Sequence, residues 1–302
     1  MDYREVRPAP PLRPFLECFW FLSAEDAAVT DGADGAPPEP VLPDGCTELI
    51  VHLGEPFRRI DDTGAVEEQP GAFFVGQMTR PLVIQPSRRA RAMGIRFRPG
   101  GALAFLGMPM SGLSDRTVPI DALWGRAARD LEETLHLAPS DAARIGVAES
   151  FLLERLVARR RDAGVEAAVR AILAERGRAR IGPLAGRAGL GPRQLERRFL
   201  AAVGISPKLF SRVVRFQNLV RIAPEADGWA SAAARCGYFD QAHLVRDVRD
   251  FAGVSPSNLL PQPGGFSSHF VSEMRMAGLF DDGFFQDTPR AGAQIGTRGE
   301  TS

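Results

Sequence analysis

Lysine is almost absent from this chain of 302 residues: Lys208 stands alone among 37 basic residues. A bias of that size follows codon composition, so no arginine counts as functional merely for being one. Cysteine is scarce too. Cys18, Cys46 and Cys236 are odd in number, far apart and without CxxC spacing. That excludes a disulfide framework and a zinc knuckle, and the three are read as reduced, structural thiols. The four histidines, His52, His136, His243 and His269, make no HxH, HExxH or HxxxH pattern, so a cupin-style metal site lacks ligands. No stretch approaches the roughly 18 uninterrupted apolar residues of a membrane span. The opening MDYREVRPAP holds no apolar core of signal-peptide length. The expectation is a cytoplasmic protein with no membrane partner, no cofactor and no metal.

Signs of catalysis are missing as well. RPGG (98–101) has too few glycines, in the wrong context, for a phosphate-binding loop. His52 with Asp44, Cys46 and Glu48 is a local cluster of chemically able residues, but PDGCTELIVHL reads as a turn entering a strand. Cys18 lies in an apolar strand, which favours an inert thiol over a reactive one. An enzyme is therefore a disfavoured reading, and no catalytic residue is named.

The charge that is present is unevenly spread. Residues 165–260 carry 15 Lys and Arg against 8 Asp and Glu, whereas residues 1–164 carry 19 against 24. A basic segment in a chain of zero net charge points to a polyanionic partner for that segment.

Residues 1–100 read as short strands between turns: FLECFWFL (15–22), TELIVHL (47–53), GAFFVG (71–76), PLVIQ (81–85) and RAMGIRF (91–97). DGADGAPPEP (31–40) can only be a loop. Helical spacing follows in 119–137 and 139–161, with Pro139-Ser140-Asp141 as a helix start. From 165 to 260 everything reads helical. Past Pro261 the chain is Gly-rich and polar, with one short amphipathic stretch at 270–280. The fold class expected is α+β: a small antiparallel sheet or partial barrel with following helices, then an all-α domain. The boundaries expected are 1–162, 163–262 and a tail at 263–302.

The helical part holds a repeat. LERRFLAAVGISP (195–207) and LVRDVRDFAGVSP (244–256) share Leu-x-Arg, a bulky apolar residue and Gly-x-Ser-Pro. AGRAG (185–189) lies six residues before Leu195, and AARCG (233–237) lies seven before Leu244. Each unit is thus a short helix of small residues, a glycine turn and a second helix, which is the helix-turn-helix pattern. In the first unit Leu195, Phe199 and Val203 form the inward set, leaving Arg193, Gln194, Glu196 and Arg197 on outward or flanking faces. In the second, Leu244, Val248 and Phe251 point inward, and Gln241, His243 and Arg246 outward. The first turns of such a helix meet base edges in a major groove, where Arg suits guanine and Gln suits adenine. Ser-Pro after the first unit starts a connecting helix to about Ile222, roughly 24 Å long, with Lys208 near its start as a candidate phosphate contact. A spacer of that order can set two helices in successive grooves about 34 Å apart.

GPRQLERRFLAAVGISPKLFSRVVRFQ and CGYFDQAHLVRDVRDFAGVSPSNLL closely resemble the two helix-turn-helix units of AraC/XylS-type transcriptional regulators. The resemblance implies a seven-helix domain that binds one face of bent double-stranded DNA. It carries base-contacting roles onto Arg193, Gln194, Glu196 and Arg197, and onto Gln241, Ala242, His243 and Arg246. Ala242 offers only apolar contact, and Val248 stands where family members usually have Phe. PLRPFLECFWF, PDGCTELIVHLG and FFVGQMTRP resemble an uncharacterised domain that commonly precedes such units. In better-known members the front domain senses a small molecule or dimerises.

The function expected is therefore a sequence-specific transcriptional regulator. Its further partners would be a small-molecule effector, a second copy in a homodimer, and RNA polymerase if it activates. Trp20, Phe19, Phe73, Phe74, Phe97 and Trp124 read as core, with the lining of an effector cavity as the alternative. Arg80, Arg88 and Arg91 read as a solvated basic surface, with an anionic effector as the alternative. The competing function is a protein-interaction adaptor that uses the helical repeat without sequence-specific DNA binding.

Overall fold

The computed structural model describes residues 2–24, 37–87, 89–157 and 161–259. Its front part holds ten strands: β1 Asp2–Val6, β2 Leu16–Ala24, β3 Glu39–Val41, β4 Thr47–His52, β5 Arg58–Ile60, β6 Val66–Glu68, β7 Ala72–Val75, β8 Leu82–Gln85, β9 Ala90–Phe97 and β10 Thr117–Pro119. They form two sheets, ordered β1-β2-β9-β4-β7-β10 and β3-β8-β5-β6. Among the described residues every pairing is antiparallel, and the strands close no barrel. Helices follow: α1 Leu103–Leu106, α2 Asp121–Trp124, α3 Arg126–Leu137 and α4 Asp141–Arg155, the last ending short of the 161 expected of it. The helical stretch expected over 119–137 breaks at Gly125, whose φ of +59° cannot continue a right-handed helix. Ser140 starts α4, accepting a hydrogen bond from the Ala143 amide at 3.2 Å.

The six-stranded sheet is covered on both faces. One face meets the helices through Phe19, Leu49, Phe74, Ile95, Phe97, Phe105, Leu131 and Leu152. The other meets the second sheet through Cys18, Trp20, Phe57 and Ile84. Trp20 lies flat across Gly94, where an added Cβ would fall 1.9 Å from its ring. Phe19, Trp20, Phe73, Phe74 and Phe97 are each at most 1% exposed, and they serve as core. Trp124 packs edge-on against Phe151 at 5.2 Å.

Inside this apolar frame sits a buried cation. Arg96 of β9 is 2% exposed, and its guanidinium meets Glu17 at 3.2 Å, Asp44 at 2.5 Å and Glu48 at 2.5 Å. Pairing explains two of these neighbours. Glu48 of β4 lies directly across from Arg96, and the β2 register shifts between Leu16 and Cys18, so Glu17 sits at an irregularity able to re-aim its side chain. Asp44 comes from the turn before β4, where it also accepts from the Cys46 amide at 2.9 Å.

The C-terminal part consists of α5 Ala163–Ala174, α6 Ile181–Arg187, α7 Pro192–Val203, α8 Pro207–Ile222, α9 Trp229–Cys236 and α10 Gln241–Ala252, with a closing 3-10 turn at Pro256–Asn258. The resemblance implies seven helices; among the described residues there are six α-helices and this turn. Leu195, Phe199, Phe210, Phe216, Leu244, Val248 and Phe251 are buried in one cluster, and Leu42 and Cys46 of the front part belong to it too. The turn at 43–46 therefore acts as a wedge. Gln217 of α8 donates to the Pro43 carbonyl at 2.6 Å, and Gln77 donates to the Gly45 carbonyl at 2.7 Å. A Cβ at Gly45 would lie 2.9 Å from the Phe210 ring, and Gly45 has φ +85°, so only glycine fits there without strain. Nearby, Ser114 donates to the Gly204 carbonyl at the end of α7, 2.6 Å away.

Among the described residues no helix is long and apolar enough to cross a membrane, and no group of three His, Cys, Asp or Glu is placed to hold a metal ion. The stretch at 270–280 lies outside the described residues.

Replacing Arg96 with Met strands three carboxylates that face one another. Losing one partner of a buried ion pair costs about 3–5 kcal/mol, and urea unfolding of Arg96→Met against wild type measures it. A second prediction concerns His52, 1% exposed between Phe57 and Phe73. Burial lowers its pKa from 6.5 to about 4, outweighing Gln69, which favours the charged form. The unfolded chain therefore takes a proton that the native one refuses. Stability is full above pH 6.5 and falls as pH drops toward 4, by about 3 kcal/mol. His52→Leu should remove this part of the pH dependence in unfolding curves recorded from pH 7.5 to 4.5.

Candidate nucleic-acid interface

Each helix-turn-helix is built by local chemistry. In the first unit Gly189, with φ +66°, turns the chain from α6 toward α7. Pro192 takes the first position of α7, where its missing amide costs nothing. In the second unit Gly237, with φ +75°, follows α9, and the Asp240 carboxylate caps α10 by accepting from the His243 amide at 2.7 Å. Ser206 caps α8, accepting from the Leu209 amide at 3.2 Å.

The two second helices bury one stripe and expose the other. α7 buries Leu195, Phe199, Ala202 and Val203, and Arg193, Gln194, Glu196 and Arg197 lie exposed on its N-terminal half. α10 buries Leu244, Asp247, Val248, Phe251 and Ala252. Gln241, Ala242 and Arg246 are exposed and line a shallow open groove with Val245, Arg249 and Asp250. Lys208 is exposed in the first turn of α8. His243 departs from the outward position expected of it. Its ring is half-buried, edge-on to Tyr238 at 5.2 Å and 3.2 Å from the Arg215 guanidinium. These inward partners draw it off the face that Gln241 and Arg246 occupy.

Asp247 explains those partners. It is 0% exposed, lies one turn beyond Leu244, and receives Arg212 at 2.8 Å and Arg215 at 3.3 Å from α8. Arg212 also meets Asp250 at 2.5 Å, and Arg215 stacks over Tyr238 at 4.8 Å. Burial pushes the Tyr238 hydroxyl pKa upward, so it stays protonated. Arg212 and Arg215 are thus spent on holding α10 against α8, leaving Arg193, Arg197, Lys208, Arg246 and Arg249 as cations on the outer faces. The spacing of the repeat missed Asp247, although a carboxylate on the inward stripe of an amphipathic helix was a visible signal for a buried partner.

Comparison with known proteins matches two separate segments of the chain. Residues 184–262 match a family model described as a helix-turn-helix domain. The matched segment runs from within α6 through α10 and so holds most of the first unit and all of the second. Residues 4–119, ahead of it in the chain, match a family model described as a domain of unknown function, DUF6597. No curated protein matches the chain. Among solved structures the chain is similar to ToxT from Vibrio cholerae, at 10% identity and a TM-score of 0.43 over 81% of this chain and 99% of that one. Unsaturated fatty acid bound ToxT from the same organism matches at 8% identity and a TM-score of 0.39, over 81% and 96%. The AraC-like transcriptional activator CuxR matches at 14% identity and a TM-score of 0.25, over 70% and 83%. These likenesses are distant.

The ionic mount of α10 is open to test. Asp247→Asn keeps the shape of the side chain and removes the charge that two arginines share. The expected loss is about 1.5–3 kcal/mol, the range for hydrogen bonds to charged groups. Thermal unfolding measures it, and an unchanged midpoint would show that α10 is held by its apolar stripe alone.

Proposed function

We propose that the chain is a sequence-specific, DNA-binding transcriptional regulator, with α7 and α10 as recognition helices in successive major grooves. The observation that carries this reading is the pair of exposed polar helix faces, each backed by a buried stripe, within an AraC-type domain. Arg193, Gln194, Glu196 and Arg197 are the base-edge candidates on α7, with Gln241, Ala242 and Arg246 on α10. Arg and Gln there can bond bidentately to guanine and adenine, and Ala242 can meet a thymine methyl. His243 takes part through its position beside Arg215, and Lys208 is assigned a phosphate. The protein is assigned to the cytoplasm.

The proposed division is 1–162 for regulation and 163–262 for DNA. The wedge at 43–46 supports a direct mechanical link between them, since it joins the Arg96 cluster to the core behind α7 and α8. A small-molecule effector or a second copy of the chain would act by moving that wedge, which shifts the pose of the first unit relative to the second. RNA polymerase becomes a partner where such a shift activates.

The test is selection of random duplexes by the purified full-length chain in excess nonspecific competitor. The expected yield is a motif of two blocks about one helical turn apart. On that motif Arg197→Ala or Arg246→Ala should cost about 1–3 kcal/mol and relax preference at one base position. Lys208→Ala should weaken all sequences alike and reduce the salt slope by about one. Equal losses on every sequence for the two arginine variants would remove them as base readers. A chain that selects nothing would leave the adaptor reading in its place.

A further inference from the structure

The two units differ by one residue, and the difference is put to use. Six residues separate Gly189 from Leu195, and seven separate Gly237 from Leu244. In the first unit the residue before the cap, Leu190, packs into the core cluster and against Gly164, where an added Cβ would lie 2.8 Å from its Cδ1. An apolar residue in that place commonly fixes how the chain enters the helix. In the second unit Tyr238 takes the buried place, 6% exposed, and the extra residue, Phe239, is turned out at 93% exposure. The second turn thus already has its inward aromatic, and the fold gains nothing by holding a phenyl ring in water.

Position says what the ring is for. Phe239 immediately precedes Asp240, the cap of α10, so it stands at the end of the helix where Gln241 and Ala242 are exposed. The surroundings are cationic: exposed Arg178 lies with its side chain against Gly237, and Arg235 and Arg246 are exposed on either side in the chain. The nearby Asp240 is occupied by the His243 amide. An exposed apolar ring at the start of a recognition helix, in a turn that an arginine side chain lies against, is matched to DNA, whose major groove offers one apolar group, the thymine methyl.

We infer that Phe239 is an apolar specificity determinant that packs on a thymine methyl at the edge of the block read by α10. The inference rests on the DNA-binding reading and names what that site recognises. It has a physical signature that arginine contacts lack. Apolar burial releases no counterions, so removing the ring lowers affinity without altering the salt slope.

The experiment uses the full-length chain and duplexes carrying its selected motif. Phe239→Ala should weaken binding about 5- to 30-fold, the range for withdrawing part of an aromatic contact, with the slope of log affinity against log salt unchanged. Replacing thymines one at a time with deoxyuridine removes only the methyl. One position should reproduce the loss in wild type and add nothing further in Phe239→Ala. A Phe239→Ala chain that binds as well as wild type would overturn the inference and leave the ring for a polypeptide partner. A loss that no deoxyuridine position shares would overturn the methyl contact. Failure of wild type to select any motif would sink the DNA-binding reading, an outcome distinct from both.

Discussion

One guanidinium organises the joint between the two halves of this molecule. Arg96 is nearly sealed from water, and an isolated charge there would be prohibitively costly. Three carboxylates from β2, β4 and the turn at 43–46 answer it. The planar fork of arginine can offer separate nitrogens to three acceptors at once, a geometry that the point charge of lysine does not share. Each acceptor fixes a different piece of chain. Glu48 locks register, Glu17 uses a sheet irregularity, and Asp44 holds the wedge whose far side forms part of the helical core. Sheet order and domain docking therefore share one electrostatic cause.

The two helix-turn-helix units are copies in pattern but not in mounting. The first is pressed against the front half through the wedge and the Ser114 contact to Gly204. The second is carried on α8 by the fully buried Asp247 and its two arginines. Apolar packing tolerates small sliding, whereas a buried ion pair holds direction and register. The first unit is held to the front half by packing and hydrogen bonds, and the second to α8 by a buried ion pair, so the two mounts differ in kind.

Much of this was legible because it is local. Within each unit the Gly-x-Ser-Pro exit, the turn glycine and the Leu195–Phe199 or Leu244–Val248 stripe lie inside one stretch of about 20 residues, and the helices stand where those signals put them. The main strands were legible for the same reason. β1, β3, β5, β6 and β10 were not. DYREV is polar, and EPV, RRI, VEE and TVP are three residues each and show no alternation long enough to count. Glu39 and Pro40 of β3 also fall in the stretch read as loop. Arg96 escaped because its partners lie 48, 52 and 79 residues away, and no spacing rule reaches that far. PDGC was read correctly as a turn, but its role as a wedge depends on Gln217, 174 residues further on. On α10 the outward place expected of His243 gave way to Arg215 and Tyr238, contacts that cross between helices.

The wedge also bears on how the chain comes to be assembled. Synthesis delivers the front half first, and Leu42 and Cys46 are made long before Phe210 and Gln217 exist to receive them. The helical core is thus completed by residues made well before it, and contacts so distant in sequence are slow to form. For the same reason the two halves are not interchangeable parts. Residues 163–262 grafted behind a different front half would carry an open seat where Leu42 and Cys46 belong, and that new neighbour would have to fill it before the helices could pack as they do here.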